Sequence, residues 1–346
     1  MNTFRFIGTI IQLKDNKGIK HLSNGSRVMK FMVKQNDNNS AFVQINGDTL
    51  NNGKISVYLK DKQGRYYLPY DQRFDSEKLK QISFASKLIT NLRTTGNKDK
   101  EFIYREDFID YISEQLNLLP LNTIYEVKGE FAITEYKGKF YNNFNVKSIK
   151  TVPSITRPEL TMSLDLFYNY EGLDEKDKAN KFILNAYISQ YSYKDKRNKY
   201  YPIQVEFITN RFDFKNQNDI EIIRHRKANM HPTKEQGFVK AIWEAQYVRG
   251  AQMILPPLET LPKDIQFEIK NAGRDITEYM SNIVTEAQEI ICLTRPNNTL
   301  AKDGAVYTLL NCTENEFKSQ IYNYDNTQNE TIDNMALNEA LENPFN

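Results

Sequence analysis

The chain runs to 346 residues with 40% hydrophobic and 12% aromatic content, which supports roughly two folded domains and excludes a wholly disordered protein. Its formal charge of +2 hides an asymmetry: from Asp325 to the end there are five acidic residues and no Lys or Arg, so the body sets 46 basic against 39 acidic residues, a charge of +7. A basic body with an acidic tail fits a polyanionic partner plus a separate protein-docking peptide. No apolar run approaches a membrane span or a secretory leader, and the two cysteines, Cys292 and Cys312, read as reduced thiols of a cytoplasmic protein.

Asn2 to Leu13 alternates as a strand, with Gly8 placed where a bend or bulge would fall. After a turn-rich patch around Asn16 to Gly25, Ser26 to Gln35 forms a second strand. Ala41 to Asn46 pairs with it across Asn36–Asn39. Lys54 to Tyr70 reads as a further hairpin turning at Lys62-Gln63-Gly64. Asp75 to Arg93 is compatible with a short helix or with strand. Phe108, Tyr111, Ile112 and Leu116 stand at helical spacing within Arg105 to Leu119, which ends before Pro120. Asn122 to Ile149 then returns to strands turning at Lys137-Gly138. Three strands, a helix and a closing hairpin is the order of an OB-fold, a five-stranded Greek-key barrel, here interrupted by the extra hairpin. Thr151 to Pro158 has the prolines of a linker.

The second half repeats the plan in architecture, without residue-level identity. Thr161 to Tyr170 is its first strand. Lys181 to Asn210 holds two alternating runs. Phe182, Leu184, Ala186 and Ile188 share one face of the first, and Tyr187, Ser189, Tyr191 and Tyr193 the other. On the returning run Tyr201, Ile203, Val205 and Phe207 oppose Tyr200, Gln204 and Glu206. The connection, Lys194 to Lys199, has four positive charges and one negative. Either the tyrosines are displayed above a cationic tip, a surface suited to a single nucleic-acid strand, or both faces are packed. Gly237 to Met253 fits a strand pair or a helix. Leu261 to Thr285 reads as largely helical with Gly273 interrupting, and Glu286 to Thr294 and Ala305 to Leu310 read as strands. The expected organisation is β-rich α+β: tandem OB-fold-like barrels at 1–152 and 159–324 with inserted helices, then a disordered acidic tail at 325–346.

No phosphate-binding glycine loop ending in Lys-Ser/Thr is present. His21, His225, His231 and the cysteines make no ligand pair at zinc spacing. Acidic pairs such as Asp107/Asp110 and Glu286/Glu289 sit at the spacing of ordinary surface pairing. Neither a cofactor, a metal nor an enzymatic activity is expected.

Three features resemble the bacterial and phage single-stranded-DNA-binding proteins. They are the opening Asn2-Thr3-Phe4-Arg5-Phe6-Ile7-Gly8, the Val127-Lys128-Gly129-Glu130 strand with its Tyr136-Lys137-Gly138-Lys139 hairpin, and the terminal Leu341-Glu342-Asn343-Pro344-Phe345-Asn346. The resemblance implies sequence-tolerant binding of single-stranded DNA in replication or recombination. It also implies a tail that recruits partner proteins, here through Asp333, Glu339, Glu342, Pro344 and Phe345. Family members usually carry one OB-fold per chain, and Asn346 displaces the terminal carboxylate from the Pro-Phe pair. The implied base stackers are Phe31, Tyr58, Tyr66, Tyr136, Tyr141, Tyr187, Tyr191, Tyr193 and Tyr200. The implied phosphate contacts are Lys30, Lys34, Lys60, Arg65, Lys137, Lys139, Lys194, Lys196, Arg197 and Lys199. Competing readings are a recombination or loading accessory factor and a β-rich phage assembly protein that binds no nucleic acid.

Overall fold

A computed structural model of the chain describes residues 2–13, 18–61, 64–174, 181–192, 194–209, 212–213, 215–250, 263–272, 288–297 and 307–322. The first half contributes β1 (Thr3–Gln12), β2 (Ile19–His21), β3 (Arg27–Asn36), β4 (Asn39–Asn46), β5 (Lys54–Tyr58), β6 (Arg65–Pro69), α1 (Ser76–Gln81), β7 (Leu88–Thr90), β8 (Lys100–Phe102), α2 (Arg105–Leu118), β9 (Ile124–Tyr136) and β10 (Lys139–Thr151). The alternation expected from sequence buries Phe31 and Val33 on β3, Val43 and Ile45 on β4 and Val127 on β9 in one core. The ring closes through antiparallel pairs β1–β3, β3–β4, β10–β9 and β9–β1 and one parallel contact, β4 with β10. With α2 between the third and fourth barrel strands, this is the OB arrangement.

The second half adds β11 (Glu159–Tyr168), β12 (Leu173–Asp174), β13 (Lys181–Ser192), β14 (Arg197–Ile208), α3 (Gln217–Met230), β15 (Val239–Gly250), α4 (Lys263–Ala272), β16 (Gln288–Pro296), β17 (Tyr307–Leu309) and α5 (Glu314–Ser319). Its ring closes the same way: β11–β13, β13–β14 and β15–β16 antiparallel, β15 back to β11, and β14 parallel to β16 at Glu206 and Cys292. The helix between the third and fourth strands is α3, an element not expected from the sequence. Its apolar residues Ile220, Ile222, Ile223 and Met230 are few among charged neighbours, so the 3.6-residue period is faint.

The barrels join edge to edge through their first strands. Thr3 lies opposite Ser163 and Ile7 opposite Glu159, an antiparallel register with a local two-fold symmetry between β1 and β11. Gly8 marks where this edge of β1 changes partner, from β11 up to Ile7 to β3 from Thr9. A Cβ there would fall on the main-chain carbonyl of Lys34, so the bend expected from sequence is also a close approach of two backbones. One continuous core runs through both barrels, from Phe108 and Ile112 on α2 to Trp243 on β15 and Phe207 on β14.

Several local expectations resolve. Within the stretch from Gly237, one strand runs from Val239 to Gly250, because β11 and β16 flank it and supply ladders on both edges; 251–253 lie outside the described residues. The short helix after Phe74 is α1, whose N-cap Asp75 accepts from the amides of Glu77 and Lys78. The turn-rich patch contains the short strand β2. The Lys62-Gln63 turn and the helical expectation around Gly273 lie outside the described residues. Among the described residues, no helix is long and apolar enough to cross a membrane, and no three His, Cys, Asp or Glu side chains gather as a metal site would need.

Candidate nucleic-acid interface

The strand pair β5–β6 sits apart from the barrel sheet and has its own small core. Ile55, Val57 and Leu68 pack with Ile82 and Ile103. Strict alternation then leaves Ser56 and Tyr58 on the solvent face, opposite Tyr67 and Arg65 in register. Tyr58 and Tyr67 are each 44% exposed, a large fraction for tyrosine in regular structure. The Arg65 Nε donates to the Tyr58 hydroxyl at 3.3 Å, so a guanidinium lies beside the rings. Tyr66 falls on the other face with Val57 and borders a small hollow with Lys78 and Gln81.

The backbone of Tyr58 is tied to the turn at residues 83–86. Ser83 donates its amide to the Tyr58 carbonyl, and the Ser86 hydroxyl accepts from the Tyr58 amide, both at 2.7 Å. That turn carries Phe84, 73% exposed, which lines a cleft of about 1080 Å³. The cleft floor is the outer face of β9, β1, β11 and β15 where the barrels meet. Its cations are Arg5, Lys87, Lys128, Lys147, Lys150, Arg226 and Arg295, against Asp99, Glu126, Glu130, Glu159 and Glu244. Every one of these carboxylates is paired: Glu126 and Glu159 with Arg5, Glu126 also with Lys128, Glu130 with Lys147, Asp99 with Lys150 and Glu244 with Arg295. Burial pushes the Glu126 carboxyl up, but hydrogen bonds from Lys128 and Arg5 outweigh it and hold the group below its ordinary range. Burial, with repulsion from Arg105, pulls Lys147 below its ordinary range. Lys87 is buried and paired with Glu101, so the cleft presents interleaved, largely paired charge.

The remaining expected residues fall in separate places. At the β9–β10 tip, Lys137 (φ 51°) and Gly138 (φ 78°) form the left-handed turn that joins the strands. Lys137, Lys139 and Tyr141 are exposed there, and the Lys137 ammonium lies 4.8 Å from the half-buried Tyr136 ring. On the second barrel, Tyr191 is 49% exposed beside the exposed Lys194, Lys196 and Arg197. The turn is held by Asp195, which accepts from the Ser192 hydroxyl at 2.6 Å. Lys60 is exposed, and Lys34 is paired with Asp37 at 2.6 Å. Lys30 is half-buried, and burial, aided by repulsion from Lys20, pushes its ammonium down to about 8.

Two expectations, Phe31 and Lys199, are corrected, and two more, Tyr187 and Tyr200, are found half-buried under another ring. Phe31 has no exposed surface, because period two places it on the barrel-core face of β3. Tyr187 and Tyr200 do face away from the second barrel's core, but Phe317 of α5 packs against both. Lys199 is buried, its ammonium donating to the Ser319 carbonyl at 3.4 Å. Tyr193 and the tail residues Asp333, Glu339, Glu342, Pro344 and Phe345 lie outside the described residues. Tyr67, Phe84 and Phe140 were missed. Tyr67 could have been found from its cross-strand register with Ser56, and Phe140 from its place beside the turn. Phe84 sits in a segment without period and gives no signal.

No protein-family model matches the chain, and no curated protein matches its sequence. Among solved structures, a deletion mutant of the single-stranded DNA binding protein from Thermus aquaticus is similar at 9% sequence identity and a TM-score of 0.33, covering 72% of this chain and 87% of that one.

Proposed function

We propose that the chain binds single-stranded DNA non-covalently and with little sequence preference, using two OB units, 1–152 and 159–324, on one frame. The observation that carries this reading is the exposed Tyr58, Arg65 and Tyr67 face beside the cleft edged by Phe84, Lys147 and Lys150. A flat ring stacks on any base, which gives affinity without sequence reading, and lysines and arginines follow the phosphates. Among the described residues nothing packs over this exposed tyrosine face, whereas Ile55, Val57 and Leu68 already supply the hairpin's core. The Tyr191 and Lys194–Arg197 tip extends the same chemistry to the second barrel.

Because the cleft's carboxylates are ion-paired, an incoming phosphate competes with Glu126, Glu130 and Glu244 for their cations. Affinity then falls with salt by about 0.7 log units per phosphate contacted per log unit of salt, with stacking sustaining a residue of binding. A role in replication or recombination, with the acidic tail capturing partner proteins through Pro344 and Phe345, completes the proposal. No bond is made or broken in it.

Fluorescence polarisation with labelled oligo-dT and a matched duplex tests the reading. Preferential, salt-sensitive binding of the single strand is expected. Absence of binding at low salt would overturn it in favour of a β-rich assembly protein.

A further inference from the structure

On the second barrel, Phe317 of α5 lies between the rings of Phe238 and Tyr200. The centroids are 3.8 and 4.1 Å away and the planes within 13° and 20° of parallel. Tyr187 closes a third side edge-on at 5.5 Å. The walls belong to the barrel: Tyr200 is on β14 and Phe238 directly precedes β15. The filling belongs to a six-residue helix whose other side chains are exposed. Phe317 itself has no exposed surface and is the one side chain that α5 buries against the barrel, with the Ser319 carbonyl also accepting from the Lys199 ammonium. Two rings held almost parallel on either side of a third, at stacking distance, form a slot that accepts any flat ring of suitable thickness.

We propose that the slot between Phe238 and Tyr200 is a nucleobase site, held in the DNA-free protein by Phe317, and that a base of a bound single strand replaces that ring. The proposal rests on the single-strand-binding reading and adds a site to it. Replacing one stacked ring by another leaves the stacking of the walls nearly unchanged. A strand already engaged elsewhere on the protein delivers the competing base at high local concentration. The contacts that shape α5 are internal to it: the Thr313–Glu316 capping box and the Glu314–Lys318 pair. They do not tie it to the barrel. Its flanks are anchored separately, Leu310 to the Phe238 carbonyl at 3.0 Å and Gln320 to the Tyr200 amide at 3.0 Å, so the segment between can lift while both ends stay attached. Release also frees the Lys199 ammonium from the Ser319 carbonyl, placing a cation beside the vacated slot for the phosphate of the incoming nucleotide.

A helix of six residues detached from its support cannot hold its hydrogen bonds in water. Hydrogen–deuterium exchange of the wild-type full chain with saturating oligo-dT should therefore show faster exchange at the amides of Phe317 and Gln320, while amides in contact with DNA elsewhere are protected. Phe317→Ala should bind oligo-dT roughly 3- to 10-fold more tightly by polarisation, because the occupant is gone. Wild-type binding with unchanged or slower exchange at α5 would overturn the proposal, as would a folded Phe317→Ala protein with equal or weaker affinity. If Phe317→Ala does not fold, the exchange measurement on the wild type decides alone. Failure of the wild type to bind oligo-dT at all is a different result, which refutes the single-strand reading itself.

Discussion

Gln190 on β13 of the second barrel holds the main chain of Ile133 on β9 of the first at both ends of its carboxamide. It accepts from the Ile133 amide at 2.8 Å and donates to the Ile133 carbonyl at 2.6 Å. The reverse contact is made by Asn39, which opens β4. Its carboxamide accepts from the Arg249 amide at 2.9 Å and donates to the Tyr247 carbonyl at 3.2 Å, both on β15. In each direction a side-chain amide stands in for a neighbouring strand and satisfies peptide groups that would otherwise lie at a ladder's end. Together with the β1–β11 ladder these clamps fix how the barrels sit and so fix the shape of the cleft between them.

Gln190→Leu should cost about 1–3 kcal/mol of stability in urea melts, since it strands a partly buried amide and carbonyl at once. Asn39→Ala should cost a similar amount. The clamps share no partner, so the double variant should lose nearly the sum. A loss below roughly 0.5 kcal/mol for both would mean that water replaces the carboxamides and the clamps do not hold the barrels.

Tyr58→Ala and Tyr67→Ala should each weaken oligo-dT binding by about 10- to 100-fold, the effect of losing one base-stacking ring, with the melting temperature little changed. Phe31→Ala should do the opposite. It empties part of the barrel core and should cost about 3–5 kcal/mol of stability, while any folded fraction keeps its affinity. Paired melts and titrations on the three variants separate stacking from packing.

Lys30 makes stability depend on pH. Burial lowers its ammonium from 10.5 to about 8 in the folded chain. Below pH 8 it is charged in both folded and unfolded states, and the full desolvation cost is present. Between about pH 8 and 10.5 the folded protein gives up the proton while the unfolded chain keeps it, so this group's contribution to stability rises with pH. Above 10.5 both states are neutral and the cost is gone. Lys30→Met should then be more stable than the wild type at pH 7, by on the order of 1–3 kcal/mol, with the gap closing above pH 8. A less stable Met variant at pH 7 would show that the charge is compensated in place.

Gly129→Ala should be among the most damaging single-methyl changes in the chain. The added carbon would fall on the Asn145 carbonyl and against the Phe4 ring, where β9 passes both β10 and β1. Backbone cannot yield as a flexible side chain can, so the barrel seam must open. Gly53→Ala also adds one methyl, but into open space at a positive φ of 72°, and should cost only about 1 kcal/mol. Comparable losses for the two would place the first effect in local conformation and not in the seam.

Much of the fold was written in the alternation of the strands. Period two assigned Leu184, Ala186 and Ile188 to one face of β13 and Val205 and Phe207 to the same face of β14, and all five are buried. The Lys137-Gly138 turn and the helix ending before Pro120 were legible because local conformation dictates their residues. So was the order of three strands, helix and hairpin in the first half. Barrel closure was not legible, since it depends on β4 meeting β10 at Gln44 and Asn145 and β14 meeting β16 at Glu206 and Cys292, contacts between segments far apart in the chain.

The candidate site divides along the same line. Tyr187 and Tyr191 are equivalent by period, four residues apart on one face of β13, yet the first lies against Phe317 and the second is 49% exposed. Period says which residues share a face. What covers that face is settled by whichever later segment folds back onto it. Here α5, more than a hundred residues further on, reaches Tyr187 and stops short of Tyr191. Tyr58 and Tyr67 stayed open for the complementary reason: their hairpin's apolar side found its cover in Ile82 and Ile103, and no described segment packs over the other side.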